Sequence, residues 1–324
     1  MPTSKSDILP SWRDGKSKNS IIEFVNLVTT PGTPHFVPTE NRIAVFDNDG
    51  TLWCEKPLPI QMDFLLRRIG EQAVQDESLR DTQPWKAVFD KDYKWLSDVI
   101  TKHYNGDDSD LKLMVNGVVR AYSGESIDSF AEKANQFMTT THNPGLKRPY
   151  LSTAYAPMVE LLHYLKANEF TSYIASGGGR DFIRIISEPL YGIPAERVIG
   201  SSVALEYRVE DGVGHVFHKP ELDVFDDGPT KVVRIWSRVG KRPIFAGGNA
   251  NGDIQMLEYT AHPSRPSHCV VVNHDDNDRD IAYKAGAEKL IDTAEAKGWT
   301  IVSVREDWKI VFSEMPEPTK QVSA

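Results

Sequence analysis

Short apolar runs that end in polar or glycine-rich turns recur along this chain and predict buried β-strands. Residues 43–46 (Ile-Ala-Val-Phe) form such a run, and Asp47 follows it directly. An uninterrupted apolar run of this kind is typical of a strand buried on both faces of a parallel sheet. Residues 171–176 and 242–247 are further short strand patterns, and each is followed by glycine. We therefore predict parallel strands whose carboxyl ends share one edge of a sheet.

The stretch from Glu55 to about Pro149 has helical periodicity and no strand pattern. Apolar residues recur at helix spacing in four of its segments, residues 61–69, 93–100, 111–122 and 126–138. The predicted fold class is therefore α/β, a three-layer, Rossmann-like parallel sheet with a helical domain inserted after the first strand. Residues 55–149 are assigned to the insertion, and residues 1–54 and 150–324 to the core.

Other patterns predict smaller elements of the core. Residues 20–28 are expected to form an amphipathic helix, residues 268–272 a buried strand and residues 299–304 an edge strand. Residues 198–207 and 213–217 flank a Glu-Asp-Gly turn and predict an antiparallel hairpin beside the parallel sheet. The charged loop from His274 to Asp278 is interpreted as solvated, and the chain after Pro316 as disordered.

Two carboxylates follow the first predicted strand within a tight turn. Asp47 and Asp49 are separated by one residue, Gly50 permits a sharp turn, and Thr51 can cap the next element of the chain. The position at a strand end favours a ligand site, and paired carboxylates suit phosphate chemistry. An Asp-rich surface turn is the alternative, because Asp, Asn and Gly are common turn residues.

Later segments supply groups that would complement those carboxylates. Ser176 and the glycines 177–179 lead into a helical pattern, and such a strand, glycine turn and helix N-terminus together form an anion site. Lys231 lies near the start of another predicted helix, from which it can point at a phosphate. Asn249 and Asp253 lie in the exit loop of a third strand and offer oxygen to a hard cation or to a lysine.

In this order, the four motifs resemble those of the haloacid dehalogenase superfamily, specifically its phosphatase branch related to phosphoserine phosphatases. The resemblance covers roughly residues 40–55 and 150–275. It implies that the inserted helices are a cap domain that covers the site, excludes water and selects the substrate. The activity implied is a Mg²⁺-dependent phosphatase that hydrolyses a small phosphomonoester through an aspartyl-phosphate intermediate.

The resemblance also implies a role for each residue. Asp47 is expected to be the nucleophile, Asp49 the general acid and base, and Ser176, the Gly177 amide and Lys231 the groups that hold the phosphate oxygens. The expected Mg²⁺ ligands are the Asp47 carboxylate, the Asp49 backbone carbonyl and the Asn249 side chain. Asp253 is expected to orient a metal-bound water or Lys231, with direct metal binding as the alternative. Asn249 stands where many relatives carry Asp, so one negative charge is missing.

The substrate is the least constrained part of this interpretation. Thr51, Gly177, Glu55 and Arg180 are candidate substrate contacts, and Glu55 falls near the cap-entry Glu that recognises the substrate amine in phosphoserine phosphatases. Further charged or polar candidates are Lys56, Gln61, Arg67, Arg68 and Arg148. A surface salt bridge is the alternative role for each charge.

Three other functions are compatible with the same sheet. A 2-haloacid dehalogenase shares the fold but has no need for Asp49 or for a metal. A phosphomutase would use the same core and return the phosphoryl group to the substrate. A catalytically inactive binding protein would keep the sheet without the chemistry, which the presence of all the motif residues argues against.

Composition limits the remaining classes of function. The chain has 324 residues, of which 40% are hydrophobic, enough for one large domain with an insertion. A net charge of -9 argues against a nucleic-acid partner, and only two cysteines occur, too few for a disulfide framework. No stretch approaches the ~18 apolar residues of a membrane span.

Localisation and partners can be inferred from the same observations. Residues 1–18 are polar, without the apolar core of a signal peptide, so we expect a cytoplasmic protein, with a periplasmic or secreted protein as the alternative if a signal peptide has been removed. The expected partner is a small phosphorylated metabolite, with neither nucleic acid nor membrane. The sequence leaves the oligomeric state open.

Overall fold

A seven-stranded sheet organises the computed structural model, which describes residues 8–104, 107 and 109–313. The strands are β1 (Ile43–Phe46), β2 (Thr171–Gly179), β3 (Val198–Glu210), β4 (Val213–Val224), β5 (Phe245–Gly248), β6 (His268–Asn273) and β7 (Thr300–Ser303). Their order is β4-β3-β2-β1-β5-β6-β7, and all neighbours pair in parallel except β3 and β4, which are antiparallel. The predicted α/β class, its mostly parallel sheet and the hairpin are confirmed.

Helices occupy most of the chain between these strands. They are α1 (Lys16–Thr29), α2 (Ile60–Gln75), α3 (Trp85–Phe89), α4 (Tyr93–Tyr104), α5 (Ser109–Tyr122), α6 (Ile127–Thr140), α7 (Ala156–Ala167), α8 (Arg180–Tyr191), α9 (Pro229–Val239), α10 (Ile254–Thr260), α11 (Glu288–Lys297) and α12 (Val304–Asp307). Within the described part of the chain, no helix is long and apolar enough to cross a membrane. The predicted disorder after Pro316 lies outside the described residues.

The chain divides into two compact units. The first comprises Met1–Pro57, Met138–Ser201 and Asp226–Ala324, and the second comprises Leu58–Phe137 and Ser202–Phe225. The second unit thus contains α2 to α5, most of α6, all of β4 and most of β3. The sequence prediction assigned the hairpin residues of this unit to the core. That the second unit acts as a cap stays a prediction.

In the first unit, helices cover both faces of the parallel strands. On one face, Val45 and Ala246 pack in a buried cluster with Ile235 of α9 and Leu290 of α11. On the other face, Phe24 of α1 contacts Phe245, with ring centroids 5.9 Å apart, and Phe46 lies 5.6 Å from the same ring. Burial of both faces explains why these strands are continuous apolar runs.

The second unit has an aromatic core of its own. Phe130 of α6 stacks on Tyr122 of α5 at 4.8 Å, meets Phe64 of α2 edge-on at 5.6 Å and lies 5.1 Å from His218 of β4. His218 therefore joins the hairpin to the helices of the insertion. These contacts explain why residues 202–225 belong to this unit, although they follow it by more than sixty residues.

Candidate active site

Three neighbouring parallel strands deliver polar side chains to one edge of the sheet. Phe46 of β1 pairs with Ile174 of β2 on one side and with Gly247 of β5 on the other. Asp47 directly follows β1 and donates its N–H to the Gly247 carbonyl at 2.9 Å. Ser176 lies two residues beyond the paired residue of β2, and Asn249 directly follows β5. The carboxyl ends of β2, β1 and β5 thus form the floor of the site.

Lys231 bridges two of the predicted carboxylates. It lies in the first turn of α9, and its Nζ donates to Asp47 Oδ1 at 2.9 Å and to Asp253 Oδ1 at 2.6 Å. The exposed fractions are 2% for Lys231, 6% for Asp47 and 1% for Asp253. A buried ammonium shared by two buried carboxylates fixes the side chain of Asp47 relative to the loop after β5.

Opposing effects set the charge of this cluster. Burial lowers the pKa of Lys231, but the carboxylates of Asp253 and Asp47 raise it more, so that the pKa lies well above its ordinary value. Burial raises the pKa of Asp47, repulsion from Asp253 raises it further, and Lys231 lowers it in part. A second cation beside Asp47 would favour its ionised form, because the local negative charge exceeds that of the single lysine.

Asp49 has different surroundings from Asp47. Its Oδ1 accepts a hydrogen bond from the indole N–H of Trp53 at 2.6 Å. Burial raises the pKa of Asp49 to about 6, with the Trp53 hydrogen bond opposing this shift and the charge of Glu55 adding to it. A carboxyl group with a pKa near 6 can both donate and accept a proton near neutral pH.

Asp253 ties the loop after β5 together. While Lys231 occupies its Oδ1, Asp253 Oδ2 accepts the backbone N–H groups of Asn249 at 2.9 Å and Ala250 at 3.0 Å. A side chain at Gly248 would meet the Asp253 side chain at 2.7 Å, so this residue must be glycine. Both oxygens of Asp253 are thus engaged by the protein, which favours an orienting role.

The amide of Asn249 has a defined direction. Its Oδ1 accepts a hydrogen bond from the Thr51 hydroxyl at 2.9 Å, and its Nδ2 donates to Tyr283 Oη at 3.1 Å and to Glu55 Oε1 at 3.3 Å. Because a carboxylate such as Glu55 only accepts hydrogen bonds, the nitrogen of the amide must face it. The amide oxygen therefore faces Thr51 in the loop that follows β1.

The glycines after Ser176 continue β2 and approach the carboxylates closely. The register of β2 against β3 shifts between Ser176 and Gly179, and Ser176 Oγ accepts the Gly178 N–H at 3.1 Å. A side chain at Gly178 would lie 3.0 Å from Asp49 Oδ2, so little room exists beyond hydrogen. The Ser201 hydroxyl donates to the Gly177 carbonyl at 2.7 Å and holds this peptide. The bare backbone expected of an anion site thus lies beside Asp49.

The structure does not bring all the candidate substrate residues into this cluster. Arg180 is engaged elsewhere, because its guanidinium makes two hydrogen bonds of 3.0 Å to the adjacent Asp181. Thr51 does lie in the cluster, where its hydroxyl donates to Asn249. Glu55 lies within the cluster, beside Asn249. The other arginines pair elsewhere, Arg67 with Asp63, Arg68 with Glu125, and Arg148 with Ser152 and the Ser313 carbonyl.

Comparison with protein families agrees with this geometry. The family model for haloacid dehalogenase-like hydrolases matches residues 44–258, which include every residue of the predicted motifs. The chain belongs to this family. The resemblance inferred from the motifs is therefore confirmed, and the protein is a hydrolase of the haloacid dehalogenase type.

Three solved structures are similar to this chain at low sequence identity, and two of them, with TM-scores above 0.5, have the same fold. A protein of unknown function from Bordetella pertussis Tohama I is 15% identical, with a TM-score of 0.52, over 81% of this chain and 98% of that chain. A functionally unknown protein from Anaerococcus prevotii DSM 20548 is 13% identical, with a TM-score of 0.54, over 88% and 91%. A phosphoserine phosphohydrolase-like protein from Francisella tularensis is 17% identical, with a TM-score of 0.44, over 81% and 94%. No protein of curated function matches the sequence.

The oxygen atoms at this edge of the sheet are of types that magnesium accepts as ligands. Within residues 8–104, 107 and 109–313, no group of three or more His, Cys, Asp and Glu side chains is placed to hold a metal. The candidate donors are instead one carboxylate (Asp47), one backbone carbonyl (Asp49) and one amide oxygen (Asn249). Oxygen donors of mixed type suit Mg²⁺, which needs few protein ligands because it keeps several of its waters.

Sequence reasoning missed three residues of this hydrolase site. Trp53 could have been found, because it lies four residues after Asp49. His274 and Tyr283 could not, because no spacing relates them to the motifs.

The interpretation of residues 274–278 as a solvated loop was wrong for two of its members. His274 is 3% exposed and Asp276 2%, the latter because its carboxylate binds Arg279 at 2.6 Å.

Proposed function

We propose that this hydrolase is a Mg²⁺-dependent phosphatase that cleaves a small phosphomonoester through an aspartyl-phosphate on Asp47. The observation that carries the proposal is the contrast between the two carboxylates of the turn. Asp47 contacts a buried ammonium, whereas Asp49 contacts an indole N–H and has a pKa raised to about 6. Two neighbouring carboxyl groups in such different environments suit a nucleophile and a proton-transfer group.

In the first step, an oxygen of Asp47 attacks phosphorus while the bond from phosphorus to the ester oxygen breaks. Asp49 gives its proton to the departing alkoxide, which leaves as an alcohol. In the second step, Asp49 takes a proton from water as this water attacks phosphorus. The bond between phosphorus and Asp47 then breaks, which releases inorganic phosphate and restores the Asp47 carboxylate.

The remaining groups of the site would stabilise the transferring phosphoryl group. Lys231 lies within hydrogen-bond distance of Asp47, so its charge is next to the phosphorus that Asp47 attacks. The Ser176 hydroxyl and the backbone N–H of Gly177 lie at the end of the neighbouring strand. Fixed donors in a buried site stabilise developing negative charge without reorganisation, which is a major source of catalysis.

Asp47, the carbonyl of Asp49 and the amide of Asn249 are the residues that would hold Mg²⁺. The ion would offset the repulsion between an attacking carboxylate and an anionic phosphate ester. Two side chains would orient the carboxylates of the turn: Lys231 orients Asp47, and Trp53 orients Asp49. Asp253 contributes by holding Lys231 and the backbone of the Asn249 loop.

The substrate class is proposed from the family and from the site. A small phosphomonoester fits a site with a single cluster of phosphate-binding groups. The second unit, Leu58–Phe137 with Ser202–Phe225, is proposed as the cap that selects the alcohol portion. A dehalogenase would use Asp47 in the same way, but it has no departing alkoxide for Asp49 to protonate.

Hydrolysis of a panel of phosphomonoesters, with and without Mg²⁺, tests this function. We expect release of inorganic phosphate that requires Mg²⁺ and disappears in Asp47→Asn. Asp292→Asn, an exposed position of α11, is the matched control and should keep the wild-type rate. Chloride release from 2-chloro acids without phosphatase activity would establish a dehalogenase instead. Return of the phosphoryl group to an isomer of the substrate would establish a phosphomutase.

A further inference from the structure

A buried histidine outside the sequence motifs contacts the turn that carries both carboxylates. His274 follows β6, and its Nε2 lies 2.7 Å from the carbonyl oxygen of Gly50. Its Nδ1 lies 2.9 Å from Asp280 Oδ2, and both side chains are about 1% exposed. His274 therefore connects a buried carboxylate to the residue directly after Asp49.

The hydrogen-bond partners of the imidazole hold both of its nitrogens in place. A backbone carbonyl can only accept, so Nε2 must donate to Gly50. Asp280 accepts hydrogen bonds from the Tyr155 hydroxyl at 3.1 Å and from the Cys54 thiol at 3.7 Å. Burial and the charge of Asp280 raise the pKa of Cys54 to about 12, and burial raises that of Tyr155 well above its ordinary value, so both remain donors. Asp280 is thus held by two further donors, and its Oδ2 lies within hydrogen-bond distance of His274 Nδ1.

Gly50 lies in a crowded turn, where a small displacement of its backbone would change the distances between neighbouring groups of the site. Its φ of +74° is left-handed, and a side chain there would lie 2.1 Å from Asn249 Nδ2. The Gly50 N–H donates to the Trp53 carbonyl at 2.8 Å, so both sides of this residue are held. Movement of the Gly50 backbone would also move the adjacent Asp49 carbonyl. The distance between that carbonyl and the Asn249 side chain would then change.

The same imidazole is coupled to the loop after β5. The ring of Tyr283 stacks on His274, with centroids 4.6 Å apart and planes inclined by 13°. The Tyr283 hydroxyl donates to Glu55 and accepts from Asn249 Nδ2 at 3.1 Å. His274 and Tyr283 thus join the turn after β1 to the loop after β5.

We propose that His274 is a positioning residue, whose ring, held by Asp280, fixes the Gly50 peptide and sets the turn of Asp47 and Asp49 against Asn249. The inference rests on the proposed function, because it is that function which makes Asp47 and Asp49 of this turn the reacting groups. His274 does not touch the substrate. It acts by holding Asp47 and Asp49 in position before the substrate binds. Such positioning matters because a displacement of catalytic groups by about 1 Å lowers the rate on the order of 10²-fold.

Two variants of His274 separate its two hydrogen bonds. In His274→Gln the amide nitrogen can replace Nε2 and reach Gly50, whereas in His274→Asn it can replace only Nδ1 and reach Asp280. We expect His274→Asn to lower kcat about 10- to 100-fold and His274→Gln to retain activity within about threefold of wild type. His268→Asn is the control, because His268 lies at the far end of β6 and contacts Thr300.

Thermal unfolding of the same variants distinguishes positioning from a role in stability alone. Equal kcat in the Gln and Asn variants, for samples shown to be folded, would overturn the proposal even if both melt at a lower temperature. A loss of kcat in His268→Asn equal to that in His274→Asn would overturn it as well. Recovery of kcat in the Gln variant alone is the supporting result.

Nuclear magnetic resonance gives a test that does not depend on catalysis. The ¹⁵N shifts of the His274 ring should show hydrogen on Nε2, the atom that faces the Gly50 carbonyl. The amide signals of Gly50 and Thr51 should move in the Asn variant and much less in the Gln variant. A ring without hydrogen on Nε2, or unmoved Gly50 and Thr51 signals, would overturn the positioning role. If wild-type protein hydrolyses no phosphomonoester, the proposed function fails, while these signals still decide the role of His274.

Discussion

Asn249 donates its side-chain amide to the carboxylate of Glu55 across 3.3 Å. This contact requires an amide rather than a carboxylate at position 249, because Glu55 only accepts hydrogen bonds. An aspartate at 249 would place a second negative charge beside Glu55, in a site that already contains Asp47, Asp49 and Asp253. The protein instead has a neutral oxygen donor directed at Thr51 and a nitrogen that binds the acid.

The first prediction concerns Asn249→Asp. Without metal, we expect this variant to lose about 1–3 kcal/mol of stability, because the Glu55 carboxylate loses a donor and gains a like charge. Adding Glu55→Gln should restore most of the loss, since an amide at 55 can donate to the new carboxylate. Urea unfolding in the presence of a chelator measures the single variants and the pair.

Metal titration of activity extends the same comparison. The variant that combines Asn249→Asp with Glu55→Gln should need less Mg²⁺ for half-maximal activity than wild type, because it adds charge beside the cation without the repulsion. Asn249→Ala should need more. Identical half-saturating concentrations in all proteins would show that residue 249 does not bind the metal.

The second prediction assigns the two carboxylates of the turn. Asp47→Asn should have no measurable turnover, because an amide is a far poorer nucleophile than a carboxylate. Asp49→Asn should still bind substrate but slow turnover by about 10²–10⁴-fold. Steady-state assays at saturating substrate provide the comparison. Substantial turnover in Asp47→Asn would mean that another group attacks phosphorus.

The third prediction is based on the hydrogen bond between Trp53 and Asp49. The bond favours the ionised form of Asp49, so its removal in Trp53→Phe should raise the pKa from about 6. The first step needs protonated Asp49, and kcat/KM falls as pH rises through this pKa. We therefore expect the falling limb of the pH profile to move up by about one unit in the variant. An unmoved limb would exclude Asp49 as its source.

The fourth prediction concerns the buried cluster of Lys231. Replacing Lys231 with Met leaves Asp47 and Asp253 buried without their cation, which should cost about 3–5 kcal/mol in unfolding free energy. Asp253→Asn in the same background should cost much less than it does in wild type, because without Lys231 the Asp253 carboxylate has no cation to pair with. Urea unfolding of the four proteins gives the coupling. Additive losses would show that the two residues act independently.

Local patterns were sufficient to predict the floor of the site. The strand 43–46 is apolar because both of its faces are covered, and Asp47 is available to ligands because the sheet ends there. Lys231 was a candidate because it lies near the start of a helix, and Asp253 because it lies in the exit loop of a strand; the family resemblance then gave each its role. These features depend on neighbours in sequence, so a single chain contains enough information to place them.

Features that depend on distant contacts could not be predicted in this way. His274 and Asp276 are polar residues in a loop, and their burial depends on contacts with Gly50, Asp280 and Arg279. Residues 202–225 belong with the helices of the second unit because His218 packs on Phe130, a contact that no local periodicity indicates. The exact partners of Asn249 likewise required Glu55 and Tyr283 to be brought together in space.

The crowding around Gly50 also limits how this sequence can change over generations. A methyl group at position 50 would meet Asn249 at 2.1 Å and the Tyr283 hydroxyl at 2.7 Å, so a substitution there is tolerable only if its neighbours change at the same time. A library with one substitution per gene cannot reach such combinations. Directed evolution toward new substrates should therefore accumulate changes elsewhere, and positions 50, 249 and 283 should be randomised together if they are to vary at all.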